Sequence, residues 1–573
     1  MTSLVSMVIF LIGFLVLGVN LKSVQVDGTA DYRMQNARQS VRRVQTAAPR
    51  GSIYDRNGLL LAGNRKSLSI ALNATPFGKK TWEQTKDEIA AAIEAAGKVI
   101  GRESHLAEKQ IRRHIRETLA MPLVAWRDVS EEELARFCEH ERELPGFFVM
   151  ETEERVYPQG TLAAHLIGYV GRAEGETLAG DRKFNFSDRE MRGRSGLEHY
   201  YDSYLRGVSG EKTLVVDARG FTQYETEIKD ARRGLDLRLN LDAEIQREAE
   251  RQLAGCMGAC VVMDPRDGAV LAFASSPGYN LNEFVPVLGS KLYEKLSSDP
   301  RKPLLNRASG GAYAPGSTFK TVTAIAGLEE GIPPDLVLEC TGVYEIGAMK
   351  LRCARRWGHG EETLLTALRD SCNPYFCNFG MEAGTNALIG AARELGLGAK
   401  TGIDFGVDMA GVVPDDEWKR RQYNQKWYHG DLAQMSIGQS MLLVSPLQMA
   451  RLAGALGTGR LMTPRLNADL APDGRELKFK PENLAIVREG MELVVRDGSG
   501  RPGGMGVNVK VAGKTGTAEV GRGATRRKNT WFIAYAPAEN PTVAVAMVVE
   551  YGQSGGATTA PKVGAVLRRI FNG

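Results

Sequence analysis

Residues 314–320 read Ala-Pro-Gly-Ser-Thr-Phe-Lys, which places Ser317 three residues before Lys320. The Pro-Gly pair predicts a turn, and the residues after it predict a helix that begins near Ser317. Side chains three residues apart lie on one face of a helical turn, so the serine oxygen would lie beside the lysine amine. A helix N-terminus also disfavours a protonated lysine, which suits Lys320 as a general base. The spacing therefore predicts a nucleophilic serine that needs no histidine.

A second short motif, Ser371-Cys372-Asn373, follows a helix-like segment. Ser371 would pass a proton between the active-site lysines and a leaving amine, and Asn373 would hold a substrate amide. Taken alone, each of these short motifs has a simpler explanation. The first would be a serine that caps a helix beside a solvated lysine, and the second would be a polar turn.

The third motif follows an alternating segment, residues 507–512, that predicts a strand. It reads Lys514-Thr515-Gly516-Thr517. The edge of a strand can pair with an extended peptide. Gly516 would leave room for the peptide backbone, either threonine would bind a carboxylate, and Lys514 would supply positive charge. A phosphate-binding loop does not fit, because Asn508 stands where that loop requires a glycine and a strand follows the motif instead of a helix.

Length and composition set the broad class of protein. The chain has 573 residues, which is too many for one hydrophobic core and indicates several structural units. Its 43% hydrophobic and 25% charged residues are ordinary for a globular protein. A formal net charge of +5 is a mild bias, so nothing indicates a nucleic-acid partner.

The N-terminus differs from this average. Residues 4–21 carry no charge, are rich in Leu, Val, Ile and Phe, and end at Lys22. The run is just long enough to span a bilayer as a helix, so we predict a transmembrane anchor at residues 1–21. A cleaved signal peptide is the alternative, but no basic segment precedes the run and no clear cleavage site follows it. The large domains after Lys22 would lie outside the cell.

The remainder divides into two units. Residues 22–234 are punctuated by glycines and predict strands and turns, with a hairpin at Asn57-Gly58 and a mostly helical insertion at about residues 66–150. Residues 235–573 predict an α/β (α+β) domain. Its first and last strands would share one central antiparallel sheet flanked by helices.

Three cysteines and one histidine have a spacing that is typical of a metal site. Cys340, Cys353, His359 and Cys372 follow the pattern Cys-x12-Cys-x5-His-x12-Cys. Three thiolates and one imidazole suit a closed tetrahedral zinc site, which would support the loop before Ser371. A disulfide between Cys340 and Cys353, with Cys372 simply buried, is the alternative in an oxidising compartment.

The three short motifs, in this order and approximate spacing, resemble those of the class B penicillin-binding proteins. The likeness spans almost the whole chain, because residues 50–58, 155–158 and 193–198 are similar to the family's N-terminal motifs. Residues 305–308, 411–418 and 427–439 are similar to the elongation-type members. A division-type enzyme is the nearer alternative.

The resemblance implies a peptidoglycan D,D-transpeptidase. Ser317 would attack the carbonyl between two terminal D-alanines of a stem peptide, Lys320 would take its proton, and D-alanine would leave. The backbone N–H groups of Ser317 and Thr517 would form the oxyanion hole. An amine of a neighbouring stem peptide would then attack the acyl-enzyme, and water in its place would give D-Ala-D-Ala carboxypeptidase activity. Penicillins and other β-lactams would acylate the same serine.

The resemblance also implies the roles of further residues. The catalytic residues would be Ser317, Lys320, Ser371, Asn373, Lys514 and Thr517, and the substrate-binding residues would be Thr515 and Gly516. Some elongation-type members are understood to bind structural zinc at positions that match Cys340, Cys353, His359 and Cys372, with Asp able to replace Cys. The acyl transfer itself would need no cofactor.

The resemblance finally implies the architecture and the partners. A transpeptidase domain at residues 235–573 would stand on an elongated pedestal and dimerisation module at residues 22–234, with one membrane-spanning helix. The protein would be a single-pass protein of the bacterial inner membrane with its catalytic domain in the periplasm. Expected partners are a SEDS-type glycosyltransferase and scaffold proteins of the elongation machinery.

Two other functions use the same serine. A β-lactamase would carry a Glu-x-x-Leu-Asn deacylation motif, which does not occur between Asn373 and Lys514, and it would not need residues 22–234. A β-lactam-sensing receptor would connect to cytoplasmic signalling segments, for which the sequence shows no second hydrophobic span.

Overall fold

The structure is a computed structural model of the chain. It describes residues 2–23, 41–74, 77, 81–104, 106–172, 186–187, 191–216, 222–285, 288–501, 505–521 and 526–573.

We call the chain up to residue 239 the N-terminal half and the chain from residue 240 the C-terminal half; strands β1 to β11 lie in the first and β12 to β22 in the second. The first set is β1 Val41–Thr46, β2 Ile53–Tyr54, β3 Leu60–Leu72, β4 Leu123–Trp126, β5 Phe147–Val156, β6 Val170–Arg172, β7 Phe186–Ser187, β8 Met191–Gly193, β9 Gly210–Val216, β10 Thr222–Lys229 and β11 Leu237–Arg238. The second set is β12 Gly258–Met263, β13 Val270–Ser276, β14 Leu338–Cys340, β15 Val343–Ile346, β16 Met349–Arg352, β17 Gly360–Glu362, β18 Arg460–Met462, β19 Gly474–Glu476, β20 Ala512–Val520, β21 Arg527–Ala536 and β22 Val543–Val549.

The α-helices are distributed over both halves of the chain. Those of the N-terminal half are Thr2–Lys22, Trp82–Ile100, Glu108–Glu117, Glu131–Glu139, Ala164–Ile167, Gly196–Tyr200 and Asp202–Arg206. Those of the C-terminal half are Ala243–Leu253, Ser290–Ser298, Arg307–Gly310, Lys320–Glu329, Leu364–Asp370, Asn373–Ala383, Thr385–Glu394, Asp416–Tyr423, His429–Ser436, Pro446–Thr458, Pro481–Arg496 and Ala560–Phe571.

The C-terminal half is built on a five-stranded sheet in the order β13-β12-β22-β21-β20. Every neighbouring pair in it is antiparallel. The sheet therefore joins strands from residues 258–276 with strands from residues 512–549, as the sequence predicts. Strand β20 lies at one edge, so one side of its backbone has no strand partner among the described residues.

Both faces of this sheet are covered. Along β12, Ala259 and Val261 face the main core, whereas Cys260 and Val262 face a second cluster that includes the helices Ala243–Leu253 and Ala560–Phe571. Successive side chains of a strand point to opposite faces, so a run of apolar residues without polar interruption produces this two-sided burial. The predicted α/β domain with helices on a central antiparallel sheet is confirmed.

The N-terminal half contains two larger sheets. One has the order β10-β9-β1-β7, and the other has the order β11-β2-β3-β4 with β5 paired to β3. The predicted hairpin turn at Asn57-Gly58 forms between β2 and β3, with Gly58 at a φ of 86°. The insertion at about residues 66–150 is less helical than the sequence predicts. Its apolar spacing predicted a mostly helical insertion, but β4 and the long strands β3 and β5 form a sheet against which the helices pack.

A buried cluster of charged side chains lies in the N-terminal half. Glu198 is fully buried and accepts hydrogen bonds of 2.7 Å from Arg50 Nε and from Arg155 Nε. Arg50 also donates to Asp202, and Tyr157 donates to Glu198. A buried carboxylate is tolerated only when its charge is paired in this way. The cluster thus ties three segments that are far apart in sequence.

The first helix, Thr2–Lys22, coincides with the predicted anchor. Within the described residues, however, no helix has both the length and the apolar character required to cross a bilayer. The predicted anchor is not confirmed.

Candidate active site

Ser317 lies in a tight turn of 3-10 helix, Gly316–Phe319, that continues into the helix Lys320–Glu329. A 3-10 helix has three residues per turn, so Ser317 and Lys320 emerge on the same side. Ser317 is half-buried and Lys320 is completely buried. No hydrogen bond joins the two side chains in the described structure. The two residues therefore share one face of the helical turn, as predicted, but their side chains are not hydrogen-bonded to each other.

The turn is pressed against strand β20. A Cβ atom on Gly316 would lie 2.6 Å from Thr517 O, and one on Gly516 would lie 2.8 Å from Pro315 O. Gly316 also has a φ of 57°, a conformation that favours glycine. The two glycines therefore let the turn and the strand touch backbone to backbone, which places Ser317 beside Thr517.

Lys320 is held by the second motif. Its Nζ donates to Ser371 O at 2.7 Å and to Asn373 Oδ1 at 2.6 Å, and it lies 3.4 Å from Ser371 Oγ. A neutral lysine amine has two N–H donors and one lone pair. The two oxygen acceptors can take both donors, which leaves the lone pair free to accept a proton from the nucleophile.

Ser371 lies between the two active-site lysines. Its backbone adopts the left-handed conformation, with a φ of 58°, where the helix Leu364–Asp370 ends. Lys514 Nζ donates to Ser371 Oγ at 2.8 Å, and Lys320 Nζ lies 3.4 Å from the same oxygen. A hydroxyl with an amine on each side can accept one proton while it releases another, which is the property of a proton relay.

Burial tunes both lysines towards the neutral form. Desolvation lowers the pKa of Lys320 to about 8. Desolvation, with the nearby charge of Lys320 as a second cause, holds the pKa of Lys514 well below its usual range. A base with a pKa near neutrality is suited to remove a proton in one step and return it in the next.

The third motif lies within strand β20 and not after a strand. The sequence predicted a strand at residues 507–512, but β20 begins at Ala512 and continues to Val520. Alternation of Val and polar residues suggested the earlier segment, whereas pairing with β21 decided where the ladder forms. Lys514, Thr515, Gly516 and Thr517 therefore line the sheet edge itself.

Two polar contacts near this edge involve residues to which the sequence assigned no role. Ser499 Oγ lies 2.7 Å from Thr515 Oγ1, and Gln439 Nε2 donates to Thr517 O at 3.2 Å. Gln439 belongs to a segment that carries the family resemblance, which was the available signal. A lone serine such as Ser499 offers no signal in the sequence.

The four proposed zinc ligands converge. The ligand atoms of Cys340, Cys353, His359 and Cys372 all lie within 4.8 Å of one another. The sulfur atoms of Cys340 and Cys353 lie 3.6 and 3.4 Å from His359 Nδ1. Zinc–sulfur and zinc–nitrogen bonds of ordinary length at a tetrahedral angle would separate such atoms by about 3.6 Å. The donor set therefore fits a tetrahedral zinc ion.

The alternative disulfide does not form. All seven cysteines, which lie in the described part of the chain, are free thiols. A hydrogen bond between Cys353 and Cys372 lowers the pKa of Cys353 and raises the pKa of Cys372, so this pair shares one thiolate and one thiol. Cys372 lies between Ser371 and Asn373, and Asn373 Nδ2 donates to Arg352 O at 2.7 Å. The cluster thus supports the residues that hold Lys320.

Comparison with known families agrees with this geometry. A model described as the penicillin-binding protein transpeptidase domain matches residues 258–572, and one described as the penicillin-binding protein dimerisation domain matches residues 45–239. This chain belongs to the class B penicillin-binding proteins. The resemblance read from the three short motifs is confirmed.

Individual relatives support the same conclusion for this penicillin-binding protein. The peptidoglycan D,D-transpeptidase MrdA of Escherichia coli is 31% identical over 97% of this chain and 91% of the relative. A structure of PBP2 in complex with MreC from Helicobacter pylori has a TM-score of 0.81 at 29% identity, covering 92% of this chain and 98% of the other. A structure described as a peptidoglycan synthase complex has a TM-score of 0.74 at 26% identity, covering 99% and 98%. The prediction of a transpeptidase of the elongation type is confirmed.

Proposed function

We propose that this protein cross-links peptidoglycan stem peptides through an acyl-enzyme on Ser317 during cell elongation. The observation that carries the proposal is the convergence of Lys320, Ser371 and Lys514 near the turn that holds the half-buried Ser317. The chain brings together three segments that lie more than fifty residues apart in sequence, and each contributes a group that acyl transfer needs.

Acylation and cross-linking proceed through successive proton transfers. Ser317 Oγ attacks the carbonyl carbon of the terminal D-Ala-D-Ala bond as Lys320 accepts the hydroxyl proton. The proton then passes through Ser371 to the leaving nitrogen, the C–N bond breaks, and D-alanine departs as a neutral amine. An amine of a second stem peptide attacks the resulting ester, its proton returns along the same route, and Ser317 regains its hydroxyl.

The sheet edge supplies substrate binding. An extended stem peptide can add to the free side of β20, where Gly516 leaves room for its backbone. Thr515 and Thr517 would bind the terminal carboxylate. The backbone N–H groups of Ser317 and Thr517 would stabilise the tetrahedral oxyanion, a contribution of roughly 3 kcal/mol per donor.

A structural zinc is part of this proposal. Cys340, Cys353, His359 and Cys372 would hold the ion in a closed tetrahedral site. Such a site has no open position for water, so its contribution would be to fix the loop around Ser371 and not to take part in acyl transfer.

The cellular setting is the last part of the proposal. The protein would be held in the inner membrane by residues 1–21, with residues 22–234 as a pedestal that raises the transpeptidase domain, residues 235–573, in the periplasm. Its partners would be a SEDS-type glycosyltransferase and an elongation scaffold. Support comes from the similarity to a PBP2 solved with MreC and to a peptidoglycan synthase complex. Co-purification of this protein with a SEDS-type glycosyltransferase and an elongation scaffold protein from membrane extracts tests this part separately.

Intact-protein mass spectrometry after penicillin treatment tests the central claim. We expect one adduct per chain on Ser317, no adduct on Ser317→Ala, and a normal adduct on the surface control Ser297→Ala. Purified enzyme should also release D-alanine and join stem peptides on uncross-linked peptidoglycan. An adduct that survives Ser317→Ala, or rapid hydrolysis of the penicillin without cross-linking, would contradict the proposal.

A further inference from the structure

The loop between two of the cysteine–histidine cluster residues carries an unusual surface. Residues 352–357 include Cys353 and end two residues before His359. Trp357 in this loop is 84% exposed. Indole rings are among the most costly side chains to leave in water, and they are enriched where a partner covers them. We therefore expect the exposed Trp357 ring to contact a bound ligand.

The surroundings of Trp357 are strongly basic. Arg352, Arg355 and Arg356 are exposed, and none of them forms an ion pair within the described residues. The Arg356 guanidinium carbon lies 5.2 Å from the centre of the Trp357 ring. We name residues 352–357 the Trp357 loop. It presents an exposed indole and three exposed arginines on one loop.

The loop is preorganised. Gly358 N donates to Arg355 O at 3.0 Å, which closes a tight turn at residues 355–358, and Cys353 N donates to Gly342 O at 2.8 Å. Both ends of the loop are also anchored at the cysteine–histidine cluster. A surface that is already rigid loses little conformational entropy when it binds a ligand.

The loop is continuous with the catalytic centre. Arg352 O accepts a hydrogen bond of 2.7 Å from Asn373 Nδ2, and the other amide atom, Asn373 Oδ1, accepts from Lys320 Nζ at 2.6 Å. One asparagine side chain therefore separates the Trp357 loop from the general base. A ligand on this loop would lie at the rim of the cleft that receives the substrate.

We propose that the Trp357 loop binds the glycan-linked part of the peptidoglycan strand whose stem peptide enters the cleft, an inference that rests on the proposed function. The indole would pack against the apolar face of a sugar ring, while Arg355 and Arg356 would pair with stem-peptide carboxylates. Guanidinium groups suit carboxylates because they donate two parallel hydrogen bonds. A neutral or cationic ligand would leave this charge unmatched.

The test compares two substrates of different size on the full-length protein. Penicillin reaches only Ser317, whereas uncross-linked peptidoglycan also reaches the loop. For Trp357→Ala, and for Arg355→Ala combined with Arg356→Ala, we expect kcat/KM for cross-linking the polymer to fall about threefold to tenfold, mainly through KM. Penicillin acylation should stay within about twofold of the wild-type rate, because it does not use a stacking contact. Trp357→Phe should restore part of the loss, and the exposed control Tyr293→Ala should change neither reaction.

Other outcomes overturn the inference. Unchanged polymer cross-linking by Trp357→Ala would exclude a substrate contact, and equal losses in both reactions would reduce the loop to support of the cleft. Normal cross-linking of purified polymer with a defect only in cells would assign the surface to another protein. If wild-type protein is acylated but joins no polymer, the proposed function fails, and co-sedimentation of each variant with uncross-linked peptidoglycan still decides the binding claim.

Discussion

Lys514 Nζ donates a hydrogen bond of 2.8 Å to Ser371 Oγ, although the two residues lie 143 positions apart in the sequence. The contact places the serine of the second motif between the lysine of the third motif and Lys320 of the first. Proton transfer between the two lysines can therefore follow hydrogen-bond distances through a single hydroxyl.

The relay predicts the effect of removing that hydroxyl. Ser371→Ala keeps the backbone oxygen that binds Lys320 but removes the oxygen that Lys514 contacts. We expect the rate of penicillin acylation to fall by about a hundredfold or more, as for loss of a general acid–base group. Stopped-flow acylation measures this, with the surface variant Ser297→Ala as the control. Acylation at the wild-type rate would remove Ser371 from the mechanism.

The depressed pKa of Lys320 predicts a pH profile. With a pKa of about 8, its neutral form rises with pH from a minor to a major fraction. A general base acts when neutral, so acylation should increase about tenfold between pH 7 and pH 9 and then level off. In Lys320→Arg, whose guanidinium stays charged, the residual rate should show no such rise. A wild-type rate that is flat over this range would contradict the assignment of Lys320.

The cysteine–histidine cluster predicts a bound metal. Elemental analysis of purified protein should find about one zinc per chain, because three thiolates and one imidazole complete a tetrahedral site. Cys353→Ala should lose the metal, lower the unfolding temperature and slow penicillin acylation through the loop at Ser371. Cys138→Ala, which changes an exposed cysteine outside the cluster, should retain metal and activity. Protein without zinc in which Cys340 and Cys353 are disulfide-bonded would refute the site.

The close approach of β20 to the serine turn predicts a penalty for any side chain at residue 516. A Cβ atom there would lie 2.8 Å from Pro315 O and 2.9 Å from Trp531 Cβ, so the turn must shift. Gly516→Ala should lower the free energy of unfolding by roughly 1–3 kcal/mol and slow acylation. Gly390→Ala is the matched control, because this residue is helical and an added Cβ would have no atom of another described segment within 4 Å. Denaturant unfolding that shows equal stability for both variants would contradict the packing described.

The buried cluster around Glu198 predicts a large loss of stability. Glu198→Ala would leave the guanidinium groups of Arg50 and Arg155 without their central carboxylate, at a cost of roughly 3–5 kcal/mol. Glu151→Ala, which removes an exposed ion pair with Lys66, should shift unfolding very little. Thermal unfolding of the two variants makes the comparison. Similar transitions would mean that the cluster does not stabilise the N-terminal half.

Part of the fold follows from local sequence. The apolar run of β12 and the turn at Asn57-Gly58 appear as predicted, because strand alternation and turn chemistry depend on neighbouring residues. The insertion at about residues 66–150 was predicted less well. Its helices have a clear period, but β4 is only four residues long and gains its partners from β3.

The sequence alone determined which groups are available: the order of the three motifs, the spacing of the four cysteine and histidine side chains, and the resemblance to the family. The tertiary structure decided how these groups act. It buried Lys514, placed β20 at the sheet edge, set Ser371 between two amines and left Trp357 exposed. The physical reason is the distance along the chain over which each effect acts. Local propensity acts over a few residues, whereas these pKa values and hydrogen bonds depend on packing between segments far apart in the chain.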